Sequence, residues 1–123
     1  MKQRIIILGG EGYIGKVLSD YFLKKKKIVI SIDNLIYKQN KPKNKKNFKF
    51  FKINLKEKKK ISKIIKKNDI VVILAGLVGD PITKKYPRQS KKINEEYLLN
   101  SIKIFIKNNF KNIIFVSTCS NYG

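Results

Sequence analysis

The chain has 123 residues, 42% of them apolar, with one cysteine and no histidine. That length suits one domain with a sizeable core and leaves no room for a second, while the composition excludes wholesale disorder, an internal disulfide and an ordinary zinc site. A net charge of +21 raises nucleic-acid binding, but Arg4 and Arg88 are its only arginines, and base-edge and bidentate phosphate recognition favour Arg over Lys.

In chain order, "RIIIL" (Arg4 to Leu8) is a short apolar run closed by glycines, as expected of a strand covered on both faces. From Tyr13 to Lys25, Ile14, Val17, Leu18, Tyr21 and Phe22 recur at helical steps and predict a buried helix stripe. "IVISI" (Ile28 to Ile32) and "FKFFKI" (Phe48 to Ile53) read as strands, separated by a Lys- and Asn-rich loop containing Pro42. Ile61, Ile64 and Ile65 mark a basic amphipathic helix, and "IVVILA" (Ile70 to Ala75) is the strongest strand pattern. After the "GLVGDP" loop, Ile93, Tyr97, Leu98, Ile102 and Phe105 share a helix face, and "IIFVS" (Ile113 to Ser117) is the fifth strand. Strands of doubly buried type alternating with helices predict an α/β fold: a parallel sheet with helices on both faces and right-handed crossovers. The lysines cluster where such a fold would solvate them, at Lys24 to Lys27, Lys38 to Lys46 and Lys56 to Lys67. Specific nucleic-acid binding is therefore not expected, although so high a charge attracts polyanions at low salt. No run reaches the ~20 apolar residues needed to cross a membrane, and a soluble cytoplasmic protein is the expectation.

The most informative stretch is "LGGEGYIG", Leu8 to Gly15, between the first strand and the first helix. Gly10, Gly12 and Gly15 satisfy G-x-G-x-x-G, and Gly9, Gly12 and Gly15 satisfy G-x-x-G-x-x-G. Glycines there let the chain turn tightly and let bare backbone approach a pyrophosphate, which the helix N-terminus then attracts. A tight turn with no ligand is the competing reading. Asp33 closes the second strand, eighteen residues beyond Gly15. A carboxylate there can accept from both ribose hydroxyls and repels a 2′-phosphate, favouring NAD over NADP, with Lys38 near enough to soften the effect. The competing reading is a turn-former ahead of Asn34.

"GGEGYIG", Asp33-Asn34-Leu35, "ILAGLVGDP" and "STCSNYG" together resemble the extended short-chain dehydrogenase/reductase family, whose members include NAD-dependent epimerases and dehydratases acting on nucleotide sugars. The resemblance covers essentially the whole chain. It implies a Rossmann-like doubly wound sheet of five strands in order 3-2-1-4-5 over residues 1–123, the N-terminal portion of a longer family domain. It further implies that Gly9, Gly12, Tyr13, Ile14 and Gly15 line the pyrophosphate and that Asp33 and Asn34 hold the adenosine ribose. Asn54 and Leu55 would lie beside the adenine, with Asn54 where the family usually has Asp. Leu74, Ala75 and Gly76 would flank the central ribose and pyrophosphate, and Asn94 matches a family asparagine of structural or cofactor-contacting role. Leu8 replaces the usual Thr. Glu11 replaces a small residue and should weaken pyrophosphate binding unless it points to solvent.

By the same resemblance Thr118 falls on the catalytic Ser/Thr, a strand-end capping hydroxyl being the other reading; Tyr122 matches a structural Tyr, and Cys119 is a packed side chain. The family's Tyr-x-x-x-Lys proton donor has two sequence counterparts, Tyr21/Lys25 and Tyr37/Lys41. Tyr21 is expected on the buried helix stripe and Tyr37 in a polar loop, so neither can serve. The chain is thus expected to bind NAD and to catalyse nothing alone; a non-catalytic NAD-binding or regulatory module is the alternative. Nucleotide sugar would be a substrate only with the family's C-terminal part. The fifth strand is expected to leave an apolar edge open to self-association or a partner chain.

Overall fold

The apolar runs of the sequence line up as one sheet. The computed structural model describes residues 3–35, 40–54, 57–74, 99, 103, 107 and 112–116. Strands β1 (Arg4–Leu8), β2 (Ile28–Asp33), β3 (Phe48–Lys52), β4 (Ile70–Ile73) and β5 (Asn112–Phe115) pair in the order β3-β2-β1-β4-β5. Every pairing is parallel. Helix α1 (Tyr13–Lys24) joins β1 to β2, and α2 (Lys58–Ile64) lies between β3 and β4. The order reverses between β1 and β4, the position where open α/β sheets leave a ligand crevice at the carboxyl ends of the strands.

Strand alternation divides the core in two. Register sets Ile6 between Ile30 and Val71, and Leu8 between Ile32 and Ile73; these residues form one buried layer with Ile53, Ile61 and Ile65. On the other face, Ile5, Ile7, Val29, Phe48, Phe50 and Val72 pack with Leu18, Phe22 and Leu23 of α1. Full burial of each such side chain contributes about 1.5–3 kcal/mol. The sheet is therefore held from both sides.

The packed face of α1 keeps Leu18 and Phe22 of the expected stripe but not its other members. Gly15 and Ser19 are the buried residues of the helix, whereas Ile14, Val17 and Tyr21 are 53%, 55% and 53% exposed. Gly15 sets this rotation, because its backbone packs directly on that of Gly10. The two outermost strands also depart from the doubly buried pattern. Lys49 and Lys52 of β3 and Asn112, Ile114 and Phe115 of β5 are exposed, as edge positions with one strand neighbour allow. Of the predicted third helix, Leu99, Lys103 and Lys107 are helical and exposed, while Ile93, Tyr97, Leu98, Ile102 and Phe105 lie outside the described residues.

The amino ends of β1 and β4 are locked by polar contacts. Arg4 Nε lies 3.1 Å from Asp69 Oδ1, Arg4 Nη2 donates to the Ile64 carbonyl at 2.9 Å, and Asp69 Oδ2 accepts from the Lys66 N–H at 2.7 Å. Helix α1 ends in a Schellman motif: Lys26 N–H donates to Leu23 O and Lys27 N–H to Phe22 O, both at 3.0 Å. Lys26 takes the left-handed position (φ 61°) that glycine usually fills. The described lysines at 24–26, 41–46 and 58–67 are exposed, so the charge is solvated. Among the described residues no helix is long and apolar enough to cross a membrane.

Candidate cofactor site

The glycine turn grows out of β1 and is fixed to the end of β2. Gly9 has φ 86°, a conformation closed to most side chains. Gly9 N–H donates to the Ile32 carbonyl at 2.7 Å, and Gly12 N–H to the Gly9 carbonyl at 3.4 Å. Gly10 sits on β2: a Cβ there would collide with Ser31 Oγ and stand 2.9 Å from Ser31 Cβ. A Cβ on Gly15 would come within 2.5 Å of the Gly10 carbonyl oxygen. Gly10 and Gly15 are thus glycines of packing.

Gly12 is different. Among the described residues, a Cβ on Gly12 would meet only the Gly9 carbonyl oxygen, at 3.7 Å. It is the N-cap of α1, and among the described residues no side chain caps that helix. The first-turn N–H groups of a helix have no acceptor within it, and they carry its positive dipole end. Bare backbone, an uncapped helix end and open space above Gly12 are what a pyrophosphate needs. Tyr13, 86% exposed, and Ile14 flank the same end.

Asp33 ends β2 beside this turn. Its Oδ2 accepts from the Glu11 N–H at 3.0 Å and its Oδ1 from the Leu35 N–H at 2.9 Å. Both oxygens are held in place, and each keeps a second lone pair for a hydroxyl donor. The Leu35 bond fixes a turn in which Leu35 itself adopts φ 57°. Asn34 follows, half-buried. Asn54 lies just past β3, where its N–H donates to Glu57 Oε1 at 3.1 Å and its carbonyl accepts from the Glu57 N–H at 2.9 Å. Leu74 lies just past β4, and its N–H donates to the Leu8 carbonyl at 2.8 Å. Gly9, Gly12, Tyr13, Ile14, Gly15, Asp33, Asn34, Asn54 and Leu74 therefore gather at one end of the sheet. Leu55, Ala75, Gly76, Asn94 and Thr118 lie outside the described residues, as do Ser117, Cys119, Ser120, Tyr122, Tyr37 and Lys38.

Two readings of the sequence change. Glu11 neither faces bulk solvent nor projects into the open space above Gly12: it is buried, and its Oε2 accepts from Ser31 Oγ at 2.6 Å. Burial pushes the Glu11 carboxyl above its ordinary value and the Asp33 charge adds to this, while the Ser31 hydrogen bond and Lys16 oppose it. The one sequence signal for Ser31 is that it is the polar residue interrupting "IVISI". The second change concerns Tyr21, which is exposed rather than buried, with Lys25 Nζ 5.7 Å from its ring centroid. It sits toward the C-terminal end of α1, opposite the glycine turn, and is no more placed for catalysis than expected.

A family model described as the NAD dependent epimerase/dehydratase family matches residues 5–123. The chain belongs to this family. Within it, the chain is 27% identical over 125 residues to a UDP-N-acetyl-alpha-D-glucosaminuronate decarboxylase of Bacillus cytotoxicus, covering all of this chain and 39% of that protein. It is 31% identical over 134 residues to a dTDP-D-glucose 4,6-dehydratase of Dictyostelium discoideum, covering 98% of this chain and 30% of that one. The Bordetella bronchiseptica enzyme WbmH, solved in complex with NAD+, has the same fold with a TM-score of 0.82 at 22% identity, over all of this chain and 42% of WbmH. The Campylobacter jejuni UDP-Glc/GlcNAc 4-epimerase gives a TM-score of 0.79 at 26% identity, over 98% of this chain and 39% of that enzyme. This epimerase/dehydratase chain thus spans about two-fifths or less of each of these proteins.

Proposed function

We propose that this chain is the NAD-binding portion of an NAD-dependent epimerase/dehydratase acting on nucleotide sugars, and that it turns over no sugar on its own. The observation that carries the reading is the open backbone of Gly12 at the uncapped start of α1, beside an Asp33 carboxylate already oriented by two N–H donors. Gly9, Gly12, Tyr13, Ile14 and Gly15 would take the pyrophosphate, Asp33 and Asn34 the adenosine ribose, Asn54 and Leu55 the adenine edge. Leu74, Ala75 and Gly76 would run along the cofactor's centre, with Asn94 nearby. Asp33 favours NAD over NADP, because a 2′-phosphate would stand against its charge.

When bound, the nicotinamide supplies reversible hydride exchange with a sugar carbon. Thr118 is assigned the hydroxyl that hydrogen-bonds the reacting sugar oxygen. Neither Tyr21/Lys25 nor Tyr37/Lys41 supplies the proton donor, which is why no turnover is expected. The edge at β5, with Ile114 and Phe115 of the strand and Val116 just beyond it exposed, is assigned to strand pairing with another chain, a second copy when this chain is alone.

Calorimetric titration of the 123-residue chain with NADH tests the reading. Saturable binding, weakened by G12A, is expected. No heat at millimolar NADH with folded protein sinks it, and turnover of a sugar nucleotide by the chain alone sinks the claim of inactivity.

A further inference from the structure

Phosphate binding by backbone gives no use to a glutamate in the glycine turn, yet Glu11 is built into it with care. Its side chain folds back under the turn to Ser31, and its own N–H holds Asp33 Oδ2 at 3.0 Å. Two acidic residues are therefore joined at the carboxyl end of β2, one carried by the turn and one by the strand. Glu11 also lines a cavity of about 380 Å³ with Lys16 and Asp20 of α1 and Lys43 and Lys45 of the β2–β3 connection. Those three lysines are exposed, whereas Glu11 is buried and Asp33 half-buried. Solvent screens the ammonium groups, while the carboxylates act through a lower dielectric and over a longer range.

We propose that Glu11 is a specificity-determining residue for the adenosine ribose, acting with Asp33 to bar a 2′-phosphate. The inference rests on the reading that NAD binds at the glycine turn. A 2′-hydroxyl can donate to a carboxylate, so it profits from the acidic surroundings. A 2′-phosphate has no proton to give above its second ionisation and adds about two negative charges. Asp33 alone would leave that discrimination to one half-buried group. Glu11 places a second negative charge on the same side, fixed by Ser31 so that it cannot swing away.

The test measures NADH and NADPH dissociation constants by fluorescence titration near pH 8, where the 2′-phosphate is fully ionised, on the wild-type chain, E11Q and E11S. Circular dichroism establishes that each variant is folded, and E11S serves where E11Q does not fold. The expected result is that the NADPH-to-NADH ratio of constants falls about tenfold in the variants, mainly through tighter NADPH, as loss of one nearby charge predicts. A residue that only shapes the turn would weaken both cofactors alike and leave the ratio unchanged; that result overturns the proposal. If the wild-type chain binds neither cofactor, the functional reading falls and this inference with it. If NADH binds normally and the ratio does not move, only this inference falls.

Discussion

Gly15 rests on Gly10 so closely that a Cβ on Gly15 would stand 2.6 Å from the Gly10 Cα. Gly12, three residues earlier in the same motif, has no comparable neighbour among the described residues. The two glycines should therefore separate folding from binding. G15A is expected to destabilise by about 1–3 kcal/mol, because backbone must move to admit the methyl group. G12A is expected to cost less than about 1 kcal/mol, the loss of a tolerated N-cap, yet to weaken NADH at least about tenfold by filling the phosphate's place. Urea melts and NADH titrations of both variants check this. Equal effects of the two on stability would refute the division.

Glu11 should make stability depend on pH with an unusual sign. Burial raises its pKa above the ordinary 4.5, with Asp33 adding and Ser31 and Lys16 opposing. The folded chain then holds this proton more tightly than the unfolded chain does. Glu11 thus detracts from stability at neutral pH, and the penalty fades as pH falls through the raised value. E11Q keeps an acceptor for Ser31 and removes the charge. It is expected to melt above the wild type near pH 7, with the gap closing by about pH 4. A pH-independent gap, or a less stable E11Q near neutrality, would contradict the assignment.

Arg4 and Asp69 should be coupled. Asp69 is buried and the pair sits where β1, β4 and the end of α2 converge. D69A leaves the Arg4 guanidinium largely buried without its counter-charge, an expected loss on the order of 3 kcal/mol. Replacing both partners with apolar residues, as in R4M/D69L, should recover much of that loss. Denaturant midpoints of R4M, D69L and the R4M/D69L double decide the matter: additive losses would show that the ion pair is incidental.

The β5 edge should control association. Light scattering of the wild-type chain is expected to show species larger than a monomer, and the I114K and V116K substitutions to shift it toward monomer, because lysine blunts an open edge. A wild-type chain that stays monomeric at high micromolar concentration would remove the assignment.

Much of this was legible in the sequence. The mainly apolar runs at β1, β2 and β4 and the glycine cluster before α1 carry the parallel sheet and the turn, because strands covered on both faces lack polar alternation; the strand order comes from the family resemblance. The face of α1 was legible only in part: Leu18 and Phe22 pack as expected. Its packed face is set by Gly15 and Ser19, small residues that give no hydrophobic signal, while the bulky Ile14, Val17 and Tyr21 point outward. The Arg4–Asp69 pair spans 65 positions and leaves no local pattern. For Glu11 the sequence offers a charge against the pyrophosphate or one in solvent, and does not reveal that the turn aims its side chain inward toward Ser31. Thr118, Leu55, Ala75, Gly76 and Asn94 fall outside the described residues.

The seat of the turn on Ser31 also constrains how the protein can change. Gly10 touches Ser31 from above and Glu11 draws a hydrogen bond from it, so substitutions at positions 10, 11 and 31 are expected to be coupled. A glutamate arriving at 11 before a hydroxyl at 31 would bury a carboxylate lacking this donor, and a bulkier residue at 31 would unseat the glycine above it. Libraries that vary these sites one at a time would reject combinations that work only together.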